Sequence, residues 1–244
     1  MPSNFGDINS VEPSGRCCST HPKLPPETKA RYWVEFIIIG LIYVSRHLVH
    51  LRTSVPGIEF TFYNLHSQPP VLTLLAALFL WINGGFQKLN FSWPAKWLTY
   101  CLQLLLLLVV FIVGSEILTR LVYEGSGLAP EATEIKRQFQ HPQYKYIWAL
   151  VVLPIWAFAE EFFYRGYLIQ RIEQLSSSWK YSTLLAVLMS SALFAVNHIH
   201  HGVGGLPSHF FSALLFSGVY LYTKRSLWFV AIVHYLNNAS FLIG

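Results

Sequence analysis

The chain has 244 residues, of which 53% are apolar and 12% charged, with a formal net charge of +5. Soluble proteins carry about 25% charged residues, so this composition excludes a disordered chain and argues against an ordinary soluble enzyme. The 17 Lys and Arg are scattered, which leaves no nucleic-acid patch and makes membrane topology the natural reading of the surplus. Cys17, Cys18 and Cys101 offer no disulfide framework and no CxxC pair.

Residues 1–31 are polar, carry five prolines and read as a flexible tail with no apolar core for a signal peptidase. Beyond it, seven segments are candidates for the roughly 20 apolar residues that a membrane span needs. The first runs from Tyr32 to about Val49. The second covers Val71 to Phe86. The third, Trp97 to Tyr123, contains the Leu104–Leu108 run. The fourth starts near Tyr146. Tyr181–His198, Leu206–Thr223 and Leu227–Ile243 complete the set. Helices satisfy their own backbone hydrogen bonds in lipid, so the predicted fold is an all-α multi-span transmembrane bundle of about seven spans. It divides into N-terminal helices and connections at 32–145 and a four-helix core at 146–244. Residues 50–70 hold Pro56-Gly57 and Pro69-Pro70, the marks of an irregular connection. With seven spans, eleven Lys and Arg, including Arg165 and Arg171, fall on the side of the N-terminus and six on the other. This places the N-terminus in the cytoplasm.

Ionisable groups in such segments cost several kcal/mol each and need a reason. The fourth span ends in Glu160-Glu161-Phe-Phe-Tyr-Arg165. Neighbouring residues on a helix point about 100° apart, so the two glutamates are expected to have different surroundings. Glu161 lies four before Arg165 and can pair with it. Glu160 is left for another task, and general-base chemistry suits it. The fifth span ends in Asn197-His198. The seventh carries His234 and, four residues on, Asn238, which share a helix face.

Depth brings these groups together. Glu160 lies 17 residues before Ser177 and His198 lies 20 after Ser178, about 26 and 30 Å from the turn along two antiparallel helices. His234 is 9 residues, about 14 Å, past Arg225. All three can sit at one level in the cytoplasmic half of the bilayer, with the polar stretch from Arg165 to Lys180 protruding beyond it. A Glu and a His can hold and deprotonate a water, and a second His and an Asn can donate to a developing oxyanion. No GxSxG elbow or HExxH helix competes for the role. His209, near the start of the sixth span, is a candidate neighbour of His198. His200 and His201 belong to the turn before it. Glu116 and Arg120 read as an i, i+4 pair.

Glu160-Glu161-x-x-x-Arg165, Phe194-x-x-x-His198 and His234-x-x-x-Asn238, in this order, resemble the three motifs of the CPBP family of intramembrane proteases. That family includes CAAX prenyl endopeptidases and abortive-infection-type proteins. The resemblance covers residues 160–238. It implies hydrolysis of a peptide bond in a membrane-anchored protein or peptide, with a C-terminal prenylated (CAAX-like) peptide as one option, by a glutamate-type mechanism. Glu160 and His198 would activate water, His234 and Asn238 would stabilise the oxyanion, and Glu161 and Arg165 would shape the site. No metal cofactor is expected. Zn²⁺ on the Glu and His groups is the minority alternative, disfavoured because Asn is a poor zinc ligand. The expected partners are the bilayer and the anchored substrate, without nucleic acid, and a bacterial cell membrane is the expected location. Two other functions remain open: a transporter or ion relay built on Glu160 and the histidines, and a non-catalytic scaffold or immunity protein of the same family.

Overall fold

The computed structural model describes residues 25–50, 69–126, 146, 148–199 and 203–243. The remaining residues lie outside it, and so do the readings that fall on them: most of the tail with Cys17 and Cys18, the connections at 51–68 and 127–145, and His200 and His201. The Glu116 side chain is likewise outside the description.

The described residues are helical, and seven helices follow one another in the predicted order. They are α1 (Pro26–His50), α2 (Pro69–Ile82), α3 (Trp97–Ser126), the composite α4 (Trp148–Leu175), α5 (Ser182–Asn197), α6 (Leu206–Tyr222) and α7 (Leu227–Ile243). Proline stands in the first turn of α1, α2 and α6, where its missing N–H would have no partner anyway. The expected tail to residue 31 is shorter than that, because α1 already begins at Pro26. The expected end of the second span at Phe86 also moves back. Gly84, at φ +69, and the Gly85 N–H bond to Leu80 O close α2 earlier, a left-handed helix stop that glycine adopts without strain.

α4 is the hub. It packs against α1, α2, α5 and α7, while α5 and α6 pack on each other. It is built from a π turn over Trp148–Val152, an α segment over Leu153–Glu161, a π segment over Phe162–Ile169 and a last α turn over Gln170–Leu175. The junction residues Val152, Phe162 and Gln170 keep helical φ and ψ, so the axis is continuous. π turns inside α-helices gather at functional sites because they rotate side chains off the regular register. This one begins directly after the two glutamates.

Every residue from Glu161 to Ile172 on α4 is buried. Arg165 and Arg171 are each 0% exposed, so the start of the polar stretch from Arg165 to Lys180 is packed among helices, while residues 178–181 are exposed. For Arg171 the reason is a partner that the N-terminal helices supply. Arg171 Nε donates to Glu35 Oε2 of α1 at 2.9 Å, and Tyr167 OH donates to the same oxygen at 2.7 Å. Asn83 donates to Glu35 Oε1. Arg171 Cζ lies over the Tyr32 ring, 4.1 Å from the ring centroid. A paired, stacked guanidinium can be buried where an unpaired one cannot. A side chain on Gly85 would meet Leu80 at 2.7 Å and Arg171 at 3.1 Å, so the loop after α2 closes over this pair only because it has none.

Among the described residues no helix is long and apolar enough to cross a membrane. α5, α6 and α7 have 16, 17 and 17 residues, about 24–26 Å of rise against a hydrocarbon core of about 30 Å.

Candidate active site

The site lies where α4, α5, α6 and α7 meet. Its centre is the imidazole of His234 on α7, 2% exposed. Nδ1 lies 2.7 Å from Glu161 Oε1, and Nε2 lies 3.6 Å from Glu160 Oε2. The two glutamates do diverge on α4, as a 100° step requires. They nevertheless share one neighbour, because the ring stands between them and offers a nitrogen to each. A carboxylate accepts, so the short contact puts a proton on Nδ1. At 3.6 Å the Glu160 contact is too long for a direct hydrogen bond. The two carboxylates differ in access, since the Glu161 side chain is 0% exposed and that of Glu160 is 12% exposed.

Arg165 holds the buried member of the pair. Its Nη1 donates to Glu161 Oε1 at 3.0 Å and its Nη2 to Ala213 O of α6 at 2.9 Å. Phe194 of α5 and Phe216 of α6 flank its guanidinium at 5.1 and 5.5 Å. Glu161 Oε2 and Arg165 Nε are buried without a partner, so both bonds to Glu161 converge on one oxygen. The chain Arg165–Glu161–His234 thereby fixes the orientation of the imidazole. Phe216 stacks on that ring at 4.5 Å and 24°, and Phe194 meets it edge-on at 5.9 Å.

His198 stands on the other side of Phe194, ring to ring at 4.4 Å. Its Nδ1 lies 2.8 Å from Phe194 O. A carbonyl only accepts, so Nδ1 carries the proton and Nε2 is the acceptor of the neutral ring. His209 of α6 stacks on His198 at 4.5 Å and 22°, in the place foreseen for it. Asn238 lies one turn beyond His234 on α7 and is half-buried. Its Oδ1 accepts from Asn237 at 3.5 Å. Glu160, Glu161, Arg165, His198, His234 and Asn238 are thus brought to one region of the fold. Sequence reasoning missed Phe216, which carries no signal as one apolar residue in an apolar helix. Among the described residues no three His, Cys, Asp or Glu side chains gather as metal ligands.

Residues 142–240 match the family described as type II CAAX prenyl endopeptidase, Rce1-like. The matched range contains all six of these side chains, α4 to α6 and α7 up to residue 240, and leaves out α1 to α3. No curated protein and no solved structure matches the chain.

Proposed function

From the match of residues 142–240 to the type II CAAX prenyl endopeptidase Rce1-like family, we infer that this protein is an intramembrane endopeptidase of glutamate type. Its substrate is a membrane-anchored protein or peptide, with a prenylated C-terminal peptide as the leading candidate. The observation that carries this reading is the buried His234 ring held between Glu160 and Glu161, at 3.6 and 2.7 Å.

Each residue has a task that follows from its surroundings. Glu160, the more accessible carboxylate, accepts a proton from a water, and the hydroxyl attacks the scissile carbonyl carbon. His198 Nε2 accepts the water's other hydrogen and orients it. His234 Nδ1 donates to Glu161, and Nε2 faces the carbonyl oxygen as it becomes an oxyanion, donating to it when it carries a proton. The Asn238 amide adds a second donor. Glu160 then passes its proton to the leaving amine as the C–N bond breaks. Arg165 and Glu161 act through His234 as positioning residues.

The membrane setting is supported by the outer surface. Trp81, Leu74, Leu150 and Leu106 are 75%, 71%, 69% and 68% exposed. Apolar exposure of this extent in water invites association, and in lipid it is the expected exterior. The short helices α2, α5, α6 and α7 fit a bilayer that thins locally around them, at a modest cost per ångström of mismatch.

The test is comparative proteomics of membrane peptides made with the wild type and with Glu160→Gln. Gln keeps the shape but cannot take the water's proton, so cleavage products disappear while the variant inserts and melts like the wild type. Retained cleavage by purified Glu160→Gln removes Glu160 from the base role.

A further inference from the structure

One end of the bundle carries cations that the chemistry above does not use. Three connecting segments converge there. The segment after α2 is clasped to the α6–α7 turn: Leu227 N donates to Asn90 O at 3.0 Å, Asn90 Nδ2 to Lys224 O at 2.8 Å and Ser226 Oγ to Ser92 O at 2.8 Å. The α4–α5 turn joins the same place through Glu173, which receives both arms of Arg225 at 2.7 and 2.8 Å and Thr183 Oγ1 at 2.7 Å. Lys224 and Arg225 have left-handed φ values of 55° and 65°, strained for residues with side chains. The Arg225 N–H bond to Tyr220 O at 2.7 Å and the Glu173 fork hold the turn in that shape.

Lys88, Lys96, Lys180 and Lys224 stand exposed on these three segments. The acidic side chain among them, Glu173, is already taken up by Arg225. Trp93, Trp97, Trp179 and Trp228 are each about half-exposed at the same end. Indoles with one face open and the ring partly packed favour the headgroup level of a bilayer. Exposed lysine ammonium groups beside them, that of Lys180 lying 5.5 Å from the Tyr181 ring centroid, then face the phosphate layer.

We propose that this end of the molecule is a binding surface for the anionic headgroups of the bilayer, with the four lysines as phosphate contacts and the four tryptophans setting their depth. The proposal rests on the membrane reading above. It adds a partner of stated chemistry at a place remote from His234, and it makes the clasped connections, and hence the start of α7, dependent on lipid charge. A juxtamembrane lysine contributes about a fivefold preference for an anionic surface at physiological ionic strength, and this is lost as the Debye length shortens.

The experiment uses the full chain in nanodiscs of phosphatidylcholine alone and of phosphatidylcholine with phosphatidylglycerol. Thermal unfolding and lipid retention by native mass spectrometry are read for the wild type and for K88Q/K96Q/K180Q/K224Q. Phosphatidylglycerol raises the wild-type melting temperature and is retained, with about a fivefold loss of retention for each lysine removed. About 1 M salt abolishes both effects, and inorganic phosphate in phosphatidylcholine discs reproduces neither. The corresponding four-arginine variant keeps them, which separates lost charge from a damaged fold. A chain that reconstitutes but gains nothing from phosphatidylglycerol, or gains as much from inorganic phosphate, overturns this proposal and leaves the protease reading standing. A chain that does not reconstitute overturns the membrane reading as well.

Discussion

Replacing Arg165 by Ala removes the guanidinium that Glu161 touches. Both side chains are 0% exposed and their nitrogen and oxygen are 3.0 Å apart. Breaking a buried pair from one side costs about 3–5 kcal/mol, because the surviving charge stays buried without its partner. The other bond of Arg165 matters less. Ala213 O keeps a second donor, Ser217 Oγ at 2.8 Å, so that carbonyl is not orphaned. The loss therefore concentrates on Glu161, whose remaining contact is His234 Nδ1. For a chain of this length 1 kcal/mol corresponds to about 2–4 °C, so the melting temperature should fall by about 6–20 °C. Differential scanning fluorimetry of the purified variant in detergent measures it, beside a cleavage assay. Arg165→Lys should recover part of the stability, since a single ammonium cannot fork Glu161 and Ala213 O with the geometry of a guanidinium. A variant with unchanged melting temperature and no activity would refute the reasoning, and would make Arg165 a substrate-binding group.

Other outcomes follow from the same geometry. Asn238→Ala removes one oxyanion donor and should lower kcat by about 10²–10³-fold with a smaller change in KM, read from steady-state cleavage. Arg171→Ala leaves Glu35 buried with Tyr167 and Asn83 as its neighbours, so it should destabilise by about 3–5 kcal/mol. In the double variant Glu35→Leu/Arg171→Leu part of that should return, and a double variant less stable than either single one counts against the account. For a metal-free mechanism, strong chelators should leave cleavage unchanged. Loss of activity on chelation, restored by Zn²⁺ and matched by about one zinc per chain in metal analysis, would replace the glutamate-type mechanism with a metalloprotease.

Much of the architecture was legible one helix at a time. Long apolar runs bounded by proline, glycine and charged turns locate α3, α5, α6 and α7 to within a few residues, and α7 at Leu227–Ile243 as expected. Helix formation depends on such local patterns. The residues at the centre stood out for a related reason: Glu160, Glu161, His198 and His234 are polar groups in apolar helices, and such groups need partners wherever they lie. Level placement of Glu160 and His234 also followed from counting residues along antiparallel helices, since rise per residue is nearly constant.

What each polar group finds as its partner was decided by tertiary packing. Arg171 looks like a charge at a helix exit until Glu35, 136 residues earlier, is laid against it at 2.9 Å. No local signal can announce a pairing that depends on how α1 crosses α4. The assignment of one imidazole to two glutamates belongs to the same class. It requires the facing angle of α7 against α4. Phe216 and Phe194 become walls of a site only because α5 and α6 press them onto His234 and Arg165. Sequence specifies which groups are costly to bury. The packed structure specifies which of them cancel one another's cost, because that depends on distances of a few ångströms between helices remote in the chain.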